Sequence, residues 1–78
     1  MPNAFLLIST KSNFETRFIR ELKKIGEVEY AFAVYGVYDI IAKVNAESAP
    51  KLNEITKHIR TLEWVGSSLT MIIIEESK

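Results

Sequence analysis

Val34-Tyr35-Gly36-Val37-Tyr38-Asp39-Ile40 is the stretch on which the reading of this chain turns. Upstream of it, the segment from Val28 alternates. Val28, Tyr30, Phe32 and Val34 fall on one parity, and Glu29, Ala31 and Ala33 on the other. Downstream, Ile40-Ile41-Ala42-Lys43-Val44 is again strand-like. Two β-rich runs joined by a short segment that holds a glycine predict a hairpin. Gly36 allows the reversal because positive φ brings no Cβ clash there. Tyr35 and Tyr38 stand around that glycine and a carboxylate, Asp39, follows, so the hairpin tip is also the first place to look for a site.

On the N-terminal side of the hairpin, Ala4-Phe5-Leu6-Leu7-Ile8 is a short apolar run closed by Ser9-Thr10, which predicts a strand. Ser12-Asn13-Phe14-Glu15 fits a capping box. Phe14, Phe18, Leu22 and Ile25 then recur at helical spacing, widened by Ile19. Arg17, Arg20, Glu21, Lys23 and Lys24 lie off that stripe. The pattern predicts an amphipathic helix closed by Gly26. On the C-terminal side, Ser48 is an N-cap candidate with Pro50 in the first turn. Leu52, Ile55, Ile59 and Leu62 mark a second amphipathic helix, with Lys51, Glu54, Lys57, His58 and Arg60 facing outward. Ser67 to Ile74 reads as the last strand and Glu75 to Lys78 as a charged tail. The order strand, helix, strand, strand, helix, strand predicts an α+β, ferredoxin-like βαββαβ sandwich: an antiparallel four-stranded sheet with two helices on one face.

The bulk properties bound the function. A chain of 78 residues is expected to form one domain over 1–78. Lys plus Arg and Asp plus Glu number 10 each, so the formal net charge is zero. That removes the electrostatic argument for direct DNA binding or an anionic membrane surface. There is no cysteine, hence no disulfide framework and no thiolate metal site. Hydrophobic residues make up 47% and charged residues 26%, a globular balance. No apolar run approaches the roughly 20 residues of a membrane span. Met1-Pro2-Asn3 lacks the basic start of a signal peptide, so the chain reads as cytoplasmic.

The sheet presents a further expectation. Both helices pack on one face, and the other face should be polar if it meets water. Here the strands are apolar on both parities: Phe5 and Leu7 as well as Ala4, Leu6 and Ile8; Ile41 as well as Ile40, Ala42 and Val44; Met71 and Ile73 as well as Ile72 and Ile74. At roughly 25 cal/mol per Å², leaving such a face wet is costly. A second copy packed sheet to sheet, as an isologous dimer, is the simplest remedy.

Val34-Tyr35-Gly36-Val37-Tyr38-Asp39 followed by Ile40-Ile41-Ala42-Lys43-Val44 resembles the Gly-x-Tyr-Asp-plus-strand signature of the Lrp/AsnC effector domain, the RAM domain (regulation of amino-acid metabolism). Ser68-Leu69-Thr70-Met71-Ile72-Ile73-Ile74 is similar to that family's last strand, and the element order matches. The chain departs from the usual pattern in two places. It begins at the first strand, without the N-terminal helix-turn-helix domain of the usual member, and it carries Leu62-Glu63-Trp64-Val65 where the family often has Leu-Pro-Gly-Val. The resemblance implies a stand-alone RAM module that dimerises through its sheets and assembles further into tetramers, octamers or decamers. It implies a small effector, usually an amino acid, held between dimers by Tyr35, Gly36, Val37, Tyr38, Asp39, Ser68 and Thr70. It also implies regulation of Lrp/AsnC-type transcription by co-assembly with full-length regulators, with no enzymatic activity and no cofactor.

These residue types suit that ligand. Asp39 can accept from an ammonium group, and backbone N–H groups at Gly36 can approach a carboxylate closely. Ser68 and Thr70 share a strand parity, so both hydroxyls can face one spot. Each residue also has a purely structural reading. A turn Asp often ties down its own loop, Gly36 serves the turn in either case, Tyr38 shares parity with Ile40 and can be packing, and Ser68 and Thr70 can be ordinary polar strand residues. His58 is the single histidine, off the apolar stripe, and a lone histidine makes neither a triad nor a metal site. Trp64 fits either a core lid or an assembly contact. The competing class is a small dimeric α+β-barrel enzyme, an oxygenase or isomerase, but no paired carboxylates stand on one strand. Single-stranded nucleic-acid binding ranks last, since the open face lacks the basic residues such a platform uses, Lys43 apart.

Overall fold

The computed structural model describes residues 1–11 and 16–74. Its elements are β1 (Asn3–Thr10), α1 (Thr16–Lys23), β2 (Val28–Ala33), β3 (Ile40–Asn45), α2 (Ala49–Arg60) and β4 (Val65–Ile73). The four strands form one antiparallel sheet in the order β2-β3-β1-β4, the ferredoxin-like arrangement. β1 is central. Leu6 stands opposite Ala42 on one side and opposite Thr70 on the other.

Alternation along the strands divides the sheet into two faces. Ala4, Leu6 and Ile8 of β1 and Ile40, Ala42 and Val44 of β3 are buried under the helices. Phe18 and Leu22 of α1, with Leu52, Ile55 and Ile59 of α2, complete that core; Ile19, Ile25, Leu62 and Trp64 are partly buried against it. Of the stripes expected at helical spacing, Phe18, Leu22, Leu52, Ile55 and Ile59 are buried, Ile25 and Leu62 are partly buried just beyond the ends of α1 and α2, and Phe14 lies outside the described residues. α2 starts as its sequence dictates: Ser48 is extended (φ −149°, ψ 160°) and its hydroxyl accepts from the Lys51 N–H at 3.2 Å, with Pro50 in the first turn. Thr56, the one buried polar residue among those described, donates to the Asn53 carbonyl at 3.1 Å.

Several expectations are corrected. β4 begins at Val65, ahead of the predicted Ser67. Gly26 does not close α1, which stops three residues before it, and Gly36 is the glycine with positive φ among the described residues. α1 ends instead at Lys23, on tightened turns in which Lys24 N–H reaches the Glu21 carbonyl and Ile25 N–H the Leu22 carbonyl. The capping box at Ser12–Glu15 and the tail beyond Ile74 lie outside the described residues. The strict alternation from Val28 also fails. Val28 pairs with Val44 but Tyr30 pairs with Lys43, so β2 holds a bulge at Glu29. Val28 and Ala31 are both buried, and Glu29 swings to the other face beside Lys43 and Asn45.

That other face carries Phe5 and Leu7, Tyr30 and Phe32, Ile41, and Leu69, Met71 and Ile73 by the same registers. Tyr30 and Phe32 stack with centroids 4.9 Å apart, and Phe5 leans on Tyr30 at 6.5 Å. Phe32 is 55% exposed, Leu69 45% and Met71 44%. A contiguous apolar patch of this kind is what a folded chain normally covers. No helix among the described residues is long and apolar enough to cross a membrane.

Candidate functional site

The hairpin tip spans residues 34–39, between β2 and β3. Val34 N–H donates to the Asp39 carbonyl at 2.8 Å, extending the ladder by one rung. Gly36 has φ 155°, a conformation that L-residues rarely adopt, and a Cβ there would have no neighbour within 4 Å. The glycine is thus required by backbone conformation and not by crowding. Tyr35, Gly36 and Val37 are exposed, Tyr35 and Val37 almost wholly; Tyr38 and Asp39 are half-buried.

Asp39 is the anchor of this tip. Its N–H donates to the Ile8 carbonyl at 2.8 Å. Its Oδ2 accepts from the Thr10 N–H at 2.8 Å and lies 3.3 Å from the Thr10 hydroxyl. The carboxylate therefore clamps the C-terminal end of β1. Thr10 is a residue that sequence reasoning missed. Its only signal was the polar Ser9-Thr10 ending of an apolar run, and the pairing across 29 positions is set by the sheet order. The clamp does not exhaust the carboxylate, which offers about four lone-pair positions.

Ser68 and Thr70 stand opposite Ile8 and Leu6 on β4, on the helix-facing side, and both are half-buried. Asp39 and Ser68 thus reach the same end of β1 from opposite sides, two strand spacings or about 10 Å apart. Ser68 and Thr70 share one face as expected, but the sheet keeps them apart from the hairpin tip within one chain. The Thr70 hydroxyl is buried and makes no hydrogen bond, as does Asn3 Oδ1. An unsatisfied buried polar atom costs on the order of 1–3 kcal/mol, so Thr70 stands out along β4.

Trp64 closes the entrance to β4. Its ring stacks on Phe18 at 4.4 Å with 5° between planes, and its indole N–H donates to Glu21 Oε2 at 2.5 Å. Its carbonyl accepts from Lys11 N–H at 3.0 Å. This is the core-lid arrangement of the two that the sequence left open. His58 is exposed on α2, and among the described residues no three side chains of the metal-ligating types converge.

The model of the Lrp/AsnC ligand binding domain matches residues 3–78. The chain belongs to the Lrp/AsnC ligand-binding domain family. In sequence, it is 34% identical over 77 residues to a homocitrate synthase of Sulfolobus acidocaldarius, covering 95% of this chain and 16% of that protein. The chain spans about a sixth of the length of the curated relatives it matches. In structure, it is similar to the hypothetical protein PHS023 from Pyrococcus horikoshii, with TM-score 0.86, 36% identity and coverage of 97% and 93% of the two chains. It is also similar to E. coli AsnC, with TM-score 0.81 and 25% identity, covering 96% of this chain and 52% of AsnC. The family and its ferredoxin-like fold are those expected from the hairpin signature and the element order.

Proposed function

We propose that this Lrp/AsnC domain is a non-enzymatic, oligomeric sensor that binds a free amino acid and passes its occupancy to transcription regulation in the cytoplasm. The observation that carries the reading is the match of a ligand-binding domain over residues 3–78. Two copies pack sheet to sheet through the apolar face of Phe5, Leu7, Phe32, Leu69 and Met71, and dimers assemble further into tetramers, octamers or decamers. The ligand sits where dimers meet. Asp39 receives its ammonium, backbone N–H groups near Gly36 its carboxylate, and Tyr35, Val37 and Tyr38 border its side chain. Ser68 and the buried, unpartnered Thr70 hydroxyl supply polar groups from a different chain's β4, which fits the separation of about 10 Å between tip and strand within one chain. In this reading residues 1–78 act as one effector domain that co-assembles with full-length regulators.

Calorimetric titration with a panel of free amino acids tests the reading. Saturable heat with at least one of them is expected, and silence across the panel refutes it. A second reading is favoured by the homocitrate synthase relatives: the same ligand-binding module gates a biosynthetic enzyme. Co-expression separates the two. Mixed oligomers with a full-length regulator support the first, and a stable complex with a synthase catalytic domain supports the second.

A further inference from the structure

The chain as a whole is electrically neutral, but its charges are not mixed. Arg17, Arg20, Lys23 and Lys24 fall on α1 and the residue after it, and Lys51, Lys57 and Arg60 on α2. The same two stretches hold two carboxylates, Glu21 and Glu54. The rest of the sequence holds three Lys or Arg against eight Asp or Glu. Both helix carboxylates are engaged. Glu21 Oε2 accepts from the Trp64 indole N–H at 2.5 Å, and Glu54 Oε1 lies 3.9 Å from Lys51 Nζ. Arg20, Lys23, Lys24, Lys57 and Arg60 are exposed, and none of these five forms an ion pair with a described residue. Arg20 stands opposite the buried Phe18–Leu22 stripe of α1, and Lys57 opposite the Leu52–Ile59 stripe of α2, so both point away from the sheet. A cation in the last turn favours a helix end. Each of these last turns carries at least two, and Lys24 follows α1 directly.

We infer that the outward layer of α1 and α2 is a docking surface for the phosphate backbone of double-stranded DNA, bound without regard to sequence through Arg20, Lys23, Lys24, Lys57 and Arg60. Neutrality of the whole chain spoke against nucleic acid; the segregation of its cations onto one layer restores the electrostatic argument there. The composition of the layer selects the occupant. Among the described residues, every exposed large hydrophobic lies on the sheet, at the hairpin tip or near a terminus, and none on α1 or α2. A protein interface has an apolar core from which charges are depleted, and an interfacial membrane helix needs an apolar face; this layer offers neither. Single strands are held by stacking on exposed aromatic rings, which the helices also lack. A duplex backbone asks only for spaced cations, which is what the layer presents. The layer lies on the opposite side from the open sheet face, so it stays accessible whether or not that face is covered. The choice of DNA rests on the regulatory reading above; the cationic layer itself does not.

The test is fluorescence anisotropy of a labelled random-sequence DNA duplex of about 20 base pairs, titrated with the full chain over a range of salt. Saturable binding at low salt is expected. With about four phosphates neutralised, affinity should fall roughly hundredfold between about 50 and 200 mM salt. Lys23→Gln and Lys57→Gln, single changes at exposed positions, should each lower the slope of log affinity against log salt by about one. No binding at low salt, binding indifferent to salt, or an unchanged slope in either variant overturns the inference. Parallel titrations use the same sequence as a single strand, vesicles containing phosphatidylserine, and poly-glutamate. Tighter binding to any of these than to the duplex at equal salt overturns duplex DNA as the occupant. Failure here leaves the amino-acid reading standing, because that reading is decided by calorimetry without nucleic acid.

Discussion

Asp39→Ala separates the two jobs assigned to the hairpin carboxylate. In the folded chain Oδ2 takes the Thr10 N–H at 2.8 Å and the weaker hydroxyl contact at 3.3 Å. Removal leaves a half-buried backbone donor at the end of the central strand without its charged acceptor. A charge-assisted hydrogen bond is worth about 1.5–3 kcal/mol, and half-exposure lets water recover part of it, so a loss of about 1–2 kcal/mol is expected. For a domain of this size that corresponds to a fall in Tm of roughly 5–15 °C. Asp39→Asn keeps an acceptor without the charge and should lose about half as much. The assay is urea unfolding followed by Trp64 fluorescence, at one fixed protein concentration because dimerisation couples to stability. Amino-acid binding to both variants is titrated in parallel. A stability change below about 0.3 kcal/mol for Asp39→Ala would refute the clamp. Full stability loss in Asp39→Asn with normal ligand binding would remove Asp39 from the ligand's contacts.

Other consequences are local. Gly36→Ala meets no neighbouring atom but must hold φ near 155°, so a loss of about 1–3 kcal/mol is expected by chemical denaturation, with the cost in the backbone alone. An unchanged unfolding midpoint would mean that the tip relaxes freely. Ser48→Ala removes the cap of α2, whose bond is long at 3.2 Å. A loss of about 0.5–1 kcal/mol should appear in the same assay, and a neutral result would place the helix start on Pro50.

The fold was legible because each level of the sequence agreed with the next. The stripes of Leu52, Ile55 and Ile59 and of Phe18 and Leu22 name the helix faces directly, and Ser48 with Pro50 names a helix start. The apolar character of both strand parities exposes the uncovered face without any coordinates. Sequence reasoning failed where one residue shifts a register. The bulge at Glu29 carries no composition signal, since it depends on how β2 meets β3, and it reverses the assignment of Val28. The helix end expected at Gly26 failed because α1 had already ended at Lys23 on tightened turns. At the site, the hairpin could be placed from Gly36 and its flanking strands, but the Thr10 partner of Asp39 could not. That contact joins β1 to a loop two elements away, and only the sheet order brings the two together. The same order explains why Ser68 and Thr70, grouped correctly with each other, stand across β1 from the tip.

The account rests most heavily on the second sheet face, where Phe5, Leu7, Phe32, Leu69 and Met71 lie side by side and no helix among the described residues covers them. Sedimentation equilibrium of the wild-type chain at micromolar concentration weighs that claim directly. The expected mass is twice the 8.9 kDa of one chain, or an even multiple of it, and a Leu7→Glu variant, with a charge in the middle of the patch, should shift it toward the monomer. A well-behaved single species of 8.9 kDa from the wild type would contradict the account, because that face would then be stable in water as it stands.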